Sequence, residues 1–254
     1  MIKLPSFRIL LVEDNPINQQ VAMGILLKWG HVIDVAENGL EALQKWETGN
    51  YDLILMDVQM PQMSGLEATV KIREREQDTG GHIPIIGLTA QVLAGDKDLC
   101  FQAGMDDYVP KPIKKERLFD ALSRVGNLSP KKETEKGNAA HDTLCVLDID
   151  TLALLKELEA PGVFSLGELI GTYIETTPNY FNWIECAIKK GDAKAISSNA
   201  HALKGSCQSV GAVQLAKVCE QLELLGKEEK MEDVWDCLGD MRNAFEMAKE
   251  ALLA

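Results

Sequence analysis

Along the first 125 residues, short apolar runs alternate with longer stretches in which apolar residues recur every three or four positions. The runs are RILLVED (8–14), HVIDVA (31–36), YDLILMD (51–57), IPIIGLTA (83–90) and DDYVPKP (106–112). Runs this short and this continuously apolar predict strands buried on both faces. The segments 16–29, 38–47, 64–76, 94–103 and 114–124 carry helical spacing. Five strands, each followed by a helix, predict a doubly wound, mostly parallel α/β domain. In such a domain, sites form at the carboxyl ends of the strands.

The rhythm then changes. GNLSPKKETEKGNAAHD (126–142) is polar, charged and poor in apolar residues, so 126–147 reads as a flexible linker. A flexible chain of about 20 residues reaches roughly 25 Å. From Asp148 onward no strand pattern appears. Helical spacing runs through segments near 150–159, 164–175, 178–190, 192–210, 212–225 and 230–252, with breaks at Pro161-Gly162, Gly191 and Gly226. An antiparallel helical bundle over 148–254 is the economical expectation.

Composition narrows the function. A net charge of −13 argues against a general nucleic-acid binder, because neutralising phosphates takes basic patches. It suits a protein that docks on other proteins. The start, MIKLPSFRILLVED, meets acids too soon for a signal peptide, and no apolar run is long enough to span a bilayer. The six cysteines (100, 145, 186, 207, 219, 237) form no CxxC pair and no metal-like cluster with the four histidines. Reduced thiols and a cytoplasmic location are therefore expected.

The chemistry of the first half lies at predicted strand ends. Glu13 and Asp14 end the first strand, Asp57 the third, Thr89 the fourth and Lys111 the fifth. The fold brings these chain-distant residues to one rim. Three carboxylates there repel one another unless a cation shares them, and hard oxygen ligands with room for water suit magnesium. A hydroxyl and an ammonium nearby suit the oxygens of a phosphoryl group. Each acid alone would pass for a helix cap or a solvated loop end.

VEDN, LMDVQMP, LTA and YVPKP, in this order, resemble the receiver domain of two-component response regulators, over residues 7–125. The resemblance implies a flavodoxin-like (βα)5 fold, with Asp57 as phosphoacceptor. It implies Mg²⁺ held by Glu13, Asp14, Asp57 and the backbone of Gln59, with Thr89 and Lys111 on the phosphoryl oxygens. Tyr108 matches the aromatic switch position, where Thr89 also takes part. Ser64 stands where hybrid-kinase receivers often have aspartate. Lys111–Pro112 is expected to be cis, because the ammonium must turn back into the acidic site and an X–Pro bond allows cis at little cost.

In the second half, AHALKGSC (200–207) places a histidine inside a predicted helix with Lys204 three positions on and Gly205 four. A glycine in a helix interior costs about 1 kcal/mol relative to alanine. At 100° per residue, Ile196, Ala200, Leu203, Cys207 and Val210 form the buried stripe, and His201 lies about 140° from its centre. His201 is therefore expected to be exposed, beside Ser197, Lys204, Gly205 and Gln208. A lone surface histidine is usually only solvated; a cation to neutralise an anion and a gap for an approaching protein make this one different.

AHALKGSCQSVGA also resembles the signature of histidine phosphotransfer (HPt) domains, over 148–254. The resemblance implies a four-helix bundle in which His201 carries a phosphoryl group on Nε2. Lys204 and Gln208 would support it, and Gly205 would give access. Two motifs compete. DIDT (148–151) is similar to a haloacid-dehalogenase-type nucleophile motif, but Leu152 departs from that pattern and a helix N-cap explains the aspartates better. A full sensor kinase would need an ATP lid, for which no residues remain. His31, His82 and His141 are given no role.

The sequence thus predicts an α/β receiver (1–125) followed by an all-α HPt domain (148–254). The chain would be a phosphocarrier in a phosphorelay, accepting phosphate from a histidine kinase on Asp57. It would pass it through His201 to a downstream response-regulator receiver. The alternative is a binding regulator whose receiver gates the HPt docking surface without transfer. An autonomous kinase or phosphatase acting on small molecules is disfavoured, since no substrate-pocket motif appears.

Overall fold

The computed structural model describes residues 4–89, 94–125, 146–230 and 232–254, with the side chains of 94–96 left aside. The chain forms two compact units, Met1–Lys136 and Gly137–Ala254. Nearly all of the expected linker, with His141 and Cys145, lies outside the described residues.

The first unit runs β1 (Arg8–Val12), α1 (Pro16–Lys28), β2 (Val32–Ala36), α2 (Gly39–Thr48), β3 (Leu53–Asp57), α3 (Gly65–Thr79), β4 (Ile85–Thr89), α4 (Ala94–Gln102), β5 (Asp107–Pro110) and α5 (Lys115–Val125). The strands form one sheet in the order β2-β1-β3-β4-β5, every neighbouring pair parallel. Every position of β3 and β4 is buried, because helices cover both faces; hence LILMD and IIGLT show no polar alternation. Leu10, Val12, Ile54 and Met56 pack with Ala42 and Leu43 of α2, Ala68 and Ile72 of α3, and Cys100 of α4. Ile9, Leu11, Leu53 and Leu55 point to the other face and are as inaccessible. On burial, each such side chain contributes about 1.5–3 kcal/mol, and the sum makes the strand ends rigid supports.

Because β1 lies between β2 and β3, the chain leaves it in opposite directions on the two sides. That opens a crevice at the carboxyl ends of β1 and β3. The loops there are tightly terminated. Asn15 caps α1 by accepting the N–H groups of Ile17 and Asn18, and Pro16 takes the first helical position. Ser64 and Glu67 form a reciprocal capping box at the start of α3. Ser64 is thus a cap. A β-carbon at Gly65 would collide with the Asp57 carbonyl, so only glycine lets α3 begin against the end of β3.

The second unit contains α6 (Ile149–Leu158), α7 (Leu166–Lys190), α8 (Ala193–Val210), α9 (Val213–Lys227) and α10 (Val234–Leu253). Helix α8 packs on α7 and α9, and α10 closes the ring against both, giving a four-helix bundle with α6 laid on α7 and α8. Tyr173, Phe181 and Phe245 stack in its core, with ring centroids 5.4–5.9 Å from Phe245. Asp148 caps α6, accepting the Asp150 N–H and the Thr151 hydroxyl, which accounts for DIDT without phosphatase chemistry.

One expectation is corrected here. The segments 164–175 and 178–190 are one helix, α7, which runs straight through Pro178. Leu169, Tyr173, Thr177, Phe181, Ile184 and Ile188 keep one buried stripe across the proline, and that burial outweighs the lost hydrogen bond. Gly226 stands at the expected break, since α9 ends one residue later, at Lys227. A β-carbon there would come within 2.8 Å of the Ala193 carbonyl and the Ser197 nitrogen on α8. Its role is close helix approach. Gly191 does end α7, in the left-handed region at φ 68°.

Among the described residues, Cys100, Cys186, Cys207, Cys219 and Cys237 are free thiols. No helix there is long and apolar enough to cross a membrane.

Candidate functional sites

The five polar residues expected at one rim are placed by four strands. Glu13 and Asp14 follow β1, Asp57 and Thr89 are the last residues of β3 and β4, and Lys111 follows β5 across a cis peptide to Pro112. Glu13, Asp57 and Thr89 are buried. The Lys111 ammonium lies 2.6 Å from both Glu13 Oε2 and Asp57 Oδ2. Carboxylate oxygens of Glu13, Asp14 and Asp57 all fall within 4.8 Å of one another. The Gln59 N–H donates to Asp57 Oδ1 at 3.2 Å, which fixes that carboxylate's orientation.

Burial pushes Asp57 up to about 8, helped by repulsion from Glu13 and opposed by Lys111. Burial alone would lower Lys111, but the charges of Asp57 and Glu13 outweigh it and hold the ammonium above the ordinary lysine range. With every acid ionised, three carboxylates and one ammonium leave two negative charges unbalanced. Glu13 Oε2 is buried and, 2.6 Å from the Lys111 ammonium, is ion-paired without a hydrogen bond of good geometry. The donor set, its net charge and this under-satisfied oxygen all fit a hard divalent cation.

Tyr108 lies in β5, half-buried, with Phe101 of α4 edge-on to its ring at 6.2 Å. The Lys97 ammonium stands 5.3 Å from the same ring centroid.

The histidine site differs from the expectation in two side chains, His201 and Lys204. Ile196, Ala200, Leu203, Cys207 and Val210 are fully buried, so the stripe is where the spacing puts it. His201 is not freely exposed: only 17% of its side chain is accessible, because α9 stands beside it. Lys204 is buried, with its ammonium 2.6 Å from Glu223 Oε2. Glu223 Oε1 accepts from Lys227 at 2.6 Å and lies 3.1 Å from His201 Nδ1. Gly205 and Gln208 follow along α8, both half-buried.

Burial would raise the Glu223 carboxyl, but the hydrogen bonds from His201, Lys204 and Lys227 hold it well below the usual carboxylate range. An ionised carboxylate only accepts, so Nδ1 of His201 carries the ring proton. In the neutral ring Nε2 then keeps its lone pair. Glu223 escaped the sequence reading, although it leaves a mark there. It is an acid within the apolar stripe Leu215, Cys219, Leu222, Gly226 of α9, and a buried charge needs a partner. Asn18 escaped as well; its amide donates to Glu13 Oε1 at 2.8 Å.

An acidic crevice at the β1/β3 switch point and a histidine braced inside a four-helix bundle define a pair of signalling modules. Residues 9–123 match the family described as Response regulator receiver domain, and residues 168–251 match the Hpt domain family. The chain is therefore a two-component signalling protein in which a response regulator receiver domain precedes an Hpt domain. It is 31% identical to the aerobic respiration control sensor protein ArcB of Escherichia coli O157:H7 over 99% of this chain and 32% of ArcB. It is 32% identical to the sensor histidine kinase GacS of Pseudomonas protegens, over 87% of this chain and 24% of GacS. The chain thus spans about a third or less of these relatives' length. Among solved structures, the receiver domain of the sensor histidine kinase PA1611 from Pseudomonas aeruginosa is 41% identical. It covers 48% of this chain and 99% of that one, at a TM-score of 0.44.

Proposed function

We propose that this chain is a phosphorelay intermediate that takes a phosphoryl group from a histidine kinase on Asp57. His201 then passes it to or from the aspartate of a receiver. The receiver spans 1–125 and the Hpt domain 148–254, with 126–147 as the tether. The observation that carries this is the presence of two complementary acceptors in one chain. One is a buried carboxylate facing an ammonium, the other an imidazole whose Nδ1 proton is held by Glu223.

Glu13, Asp14 and Asp57, with the backbone carbonyl of Gln59, would hold Mg²⁺. Bound there, the ion supplies positive charge against the acids and the oxygens of the incoming group. Asp57 Oδ attacks phosphorus as an ionised carboxylate, the N–P bond to the kinase histidine breaks and its imidazole leaves, while Lys111 and the Thr89 hydroxyl take up the phosphoryl oxygens. Tyr108 and Thr89 then report the charge on Asp57 to the α4–β5 face. In the second transfer the O–P bond to an aspartate breaks as the Nε2–P bond forms. The acyl carboxylate is regenerated, and the proton stays on Nδ1, hydrogen-bonded to the ionised Glu223. Lys204 supports this through Glu223, Gly205 leaves room for the approaching receiver, and Gln208 flanks the docking face. The chain acts as a cytoplasmic carrier between protein partners.

Substitution tests the assignment. With labelled donor kinase, Asp57→Asn should abolish charging of the receiver. His201→Gln should leave Asp57 chargeable and stop delivery to a downstream receiver. Full delivery by either variant alone would overturn the relay and favour the gating alternative.

A further inference from the structure

Asn18 stands in the first turn of α1, buried, with its amide nitrogen 2.8 Å from Glu13 Oε1. An ionised carboxylate accepts only, so the nitrogen end of the amide must face it. The next residue grips the same acid, since the Gln19 amide donates to the Glu13 carbonyl at 2.6 Å. The turn that carries both is itself held by Asn15, whose Oδ1 accepts the N–H groups of Ile17 and Asn18. The two oxygens of Glu13 therefore have different surroundings. Oε1 is engaged by Asn18, whereas Oε2 is buried, makes no hydrogen bond and lies on the Lys111 and Asp57 side.

We propose that Asn18 is a positioning residue that confines Glu13 to presenting one oxygen, and so selects Mg²⁺ or Mn²⁺ over Ca²⁺. This rests on the cation reading of the acidic crevice. Mg²⁺ takes six ligands in near-ideal octahedral geometry and keeps several waters, so a single oxygen from each acid serves it well. Ca²⁺ takes six to eight oxygens and gains from bidentate carboxylates. With Oε1 held back, the crevice is short of oxygens for the larger ion. Freed from Asn18, Glu13 is able to turn both oxygens inward, which favours calcium and loosens the fit to magnesium.

Calorimetric titration of the full chain with Mg²⁺ and with Ca²⁺ tests this. Asn18→Ala should weaken Mg²⁺ binding about tenfold, the usual scale for a residue that orients a metal ligand. Ca²⁺ should weaken less or tighten, so the Mg²⁺/Ca²⁺ preference falls. Asn18→Leu keeps the bulk without the donor and should behave alike, with an unchanged thermal unfolding midpoint showing an intact fold. In a Glu13→Gln background, Asn18→Ala should add little, because the residue acts through Glu13. Equal losses for both ions, or fully additive losses in the double variant, would overturn the proposal. If the parent chain binds neither ion, the cation reading fails and takes the proposal with it.

Discussion

Lys204 and Glu223 reverse the roles that residue type alone assigns. A lysine one turn from a phosphoacceptor looks like a cation waiting for phosphate, yet here its charge is already matched by a buried carboxylate. Removing either partner is therefore unequal. Glu223→Gln strands Lys204 without an anion, whereas Lys204→Met leaves Glu223 with Lys227 and His201. The first should cost about 1–3 kcal/mol of stability in the second unit at neutral pH, and the second less. The pH dependence has a definite sign. A carboxyl held below its unfolded value of 4.5 gives stability that is present above that pH and lost as pH falls toward the folded value. Urea unfolding at pH 7 and pH 3.5 should show the gap between parent and Glu223→Gln narrowing in acid. A gap that widens would contradict the network. None of this was legible in AHALKGSC, because the partner lies on another helix. The convergence of Glu13, Asp14, Asp57, Thr89 and Lys111 at one rim was legible, because parallel-sheet topology fixes where strand ends meet.

The helices show where local punctuation yields to packing. Proline ordinarily breaks a helical pattern, and the break expected between 175 and 178 rests on that rule. It fails because Leu169, Tyr173, Thr177, Phe181 and Ile184 form one stripe buried on both sides of Pro178, and that stripe determines the element. Pro178 is exposed, so replacing it disturbs no packing and restores a donor to the helix ladder. Pro178→Ala should stabilise the second unit by about 1–2 kcal/mol, the restored helix bond exceeding the lost restraint on the unfolded chain. Gly226→Ala should destabilise it despite alanine's better helix propensity, since the new methyl meets the backbone of α8. Thermal unfolding of the two variants should thus move in opposite directions, and a common direction would refute this packing argument. The positions of the strands needed no such correction, although only β3 and β4 are buried throughout and the edge strand β2 is partly exposed.

At the scale of the whole molecule, the proposed relay joins two acceptors of opposite chemistry, Asp57 as an acyl phosphate and His201 as a phosphoramidate. The two adducts differ in lability: the acyl phosphate is cleaved by base and hydroxylamine, the phosphoramidate by acid. A pulse of labelled histidine kinase, removed after charging, followed by quenching in acid or in base, separates them over time. Label should appear first as the base-labile form on Asp57, then decline as the acid-labile form on His201 rises, and finally leave with an added receiver. Base-labile label that decays straight to inorganic phosphate, with no acid-labile form at any time and none transferred, would contradict the relay.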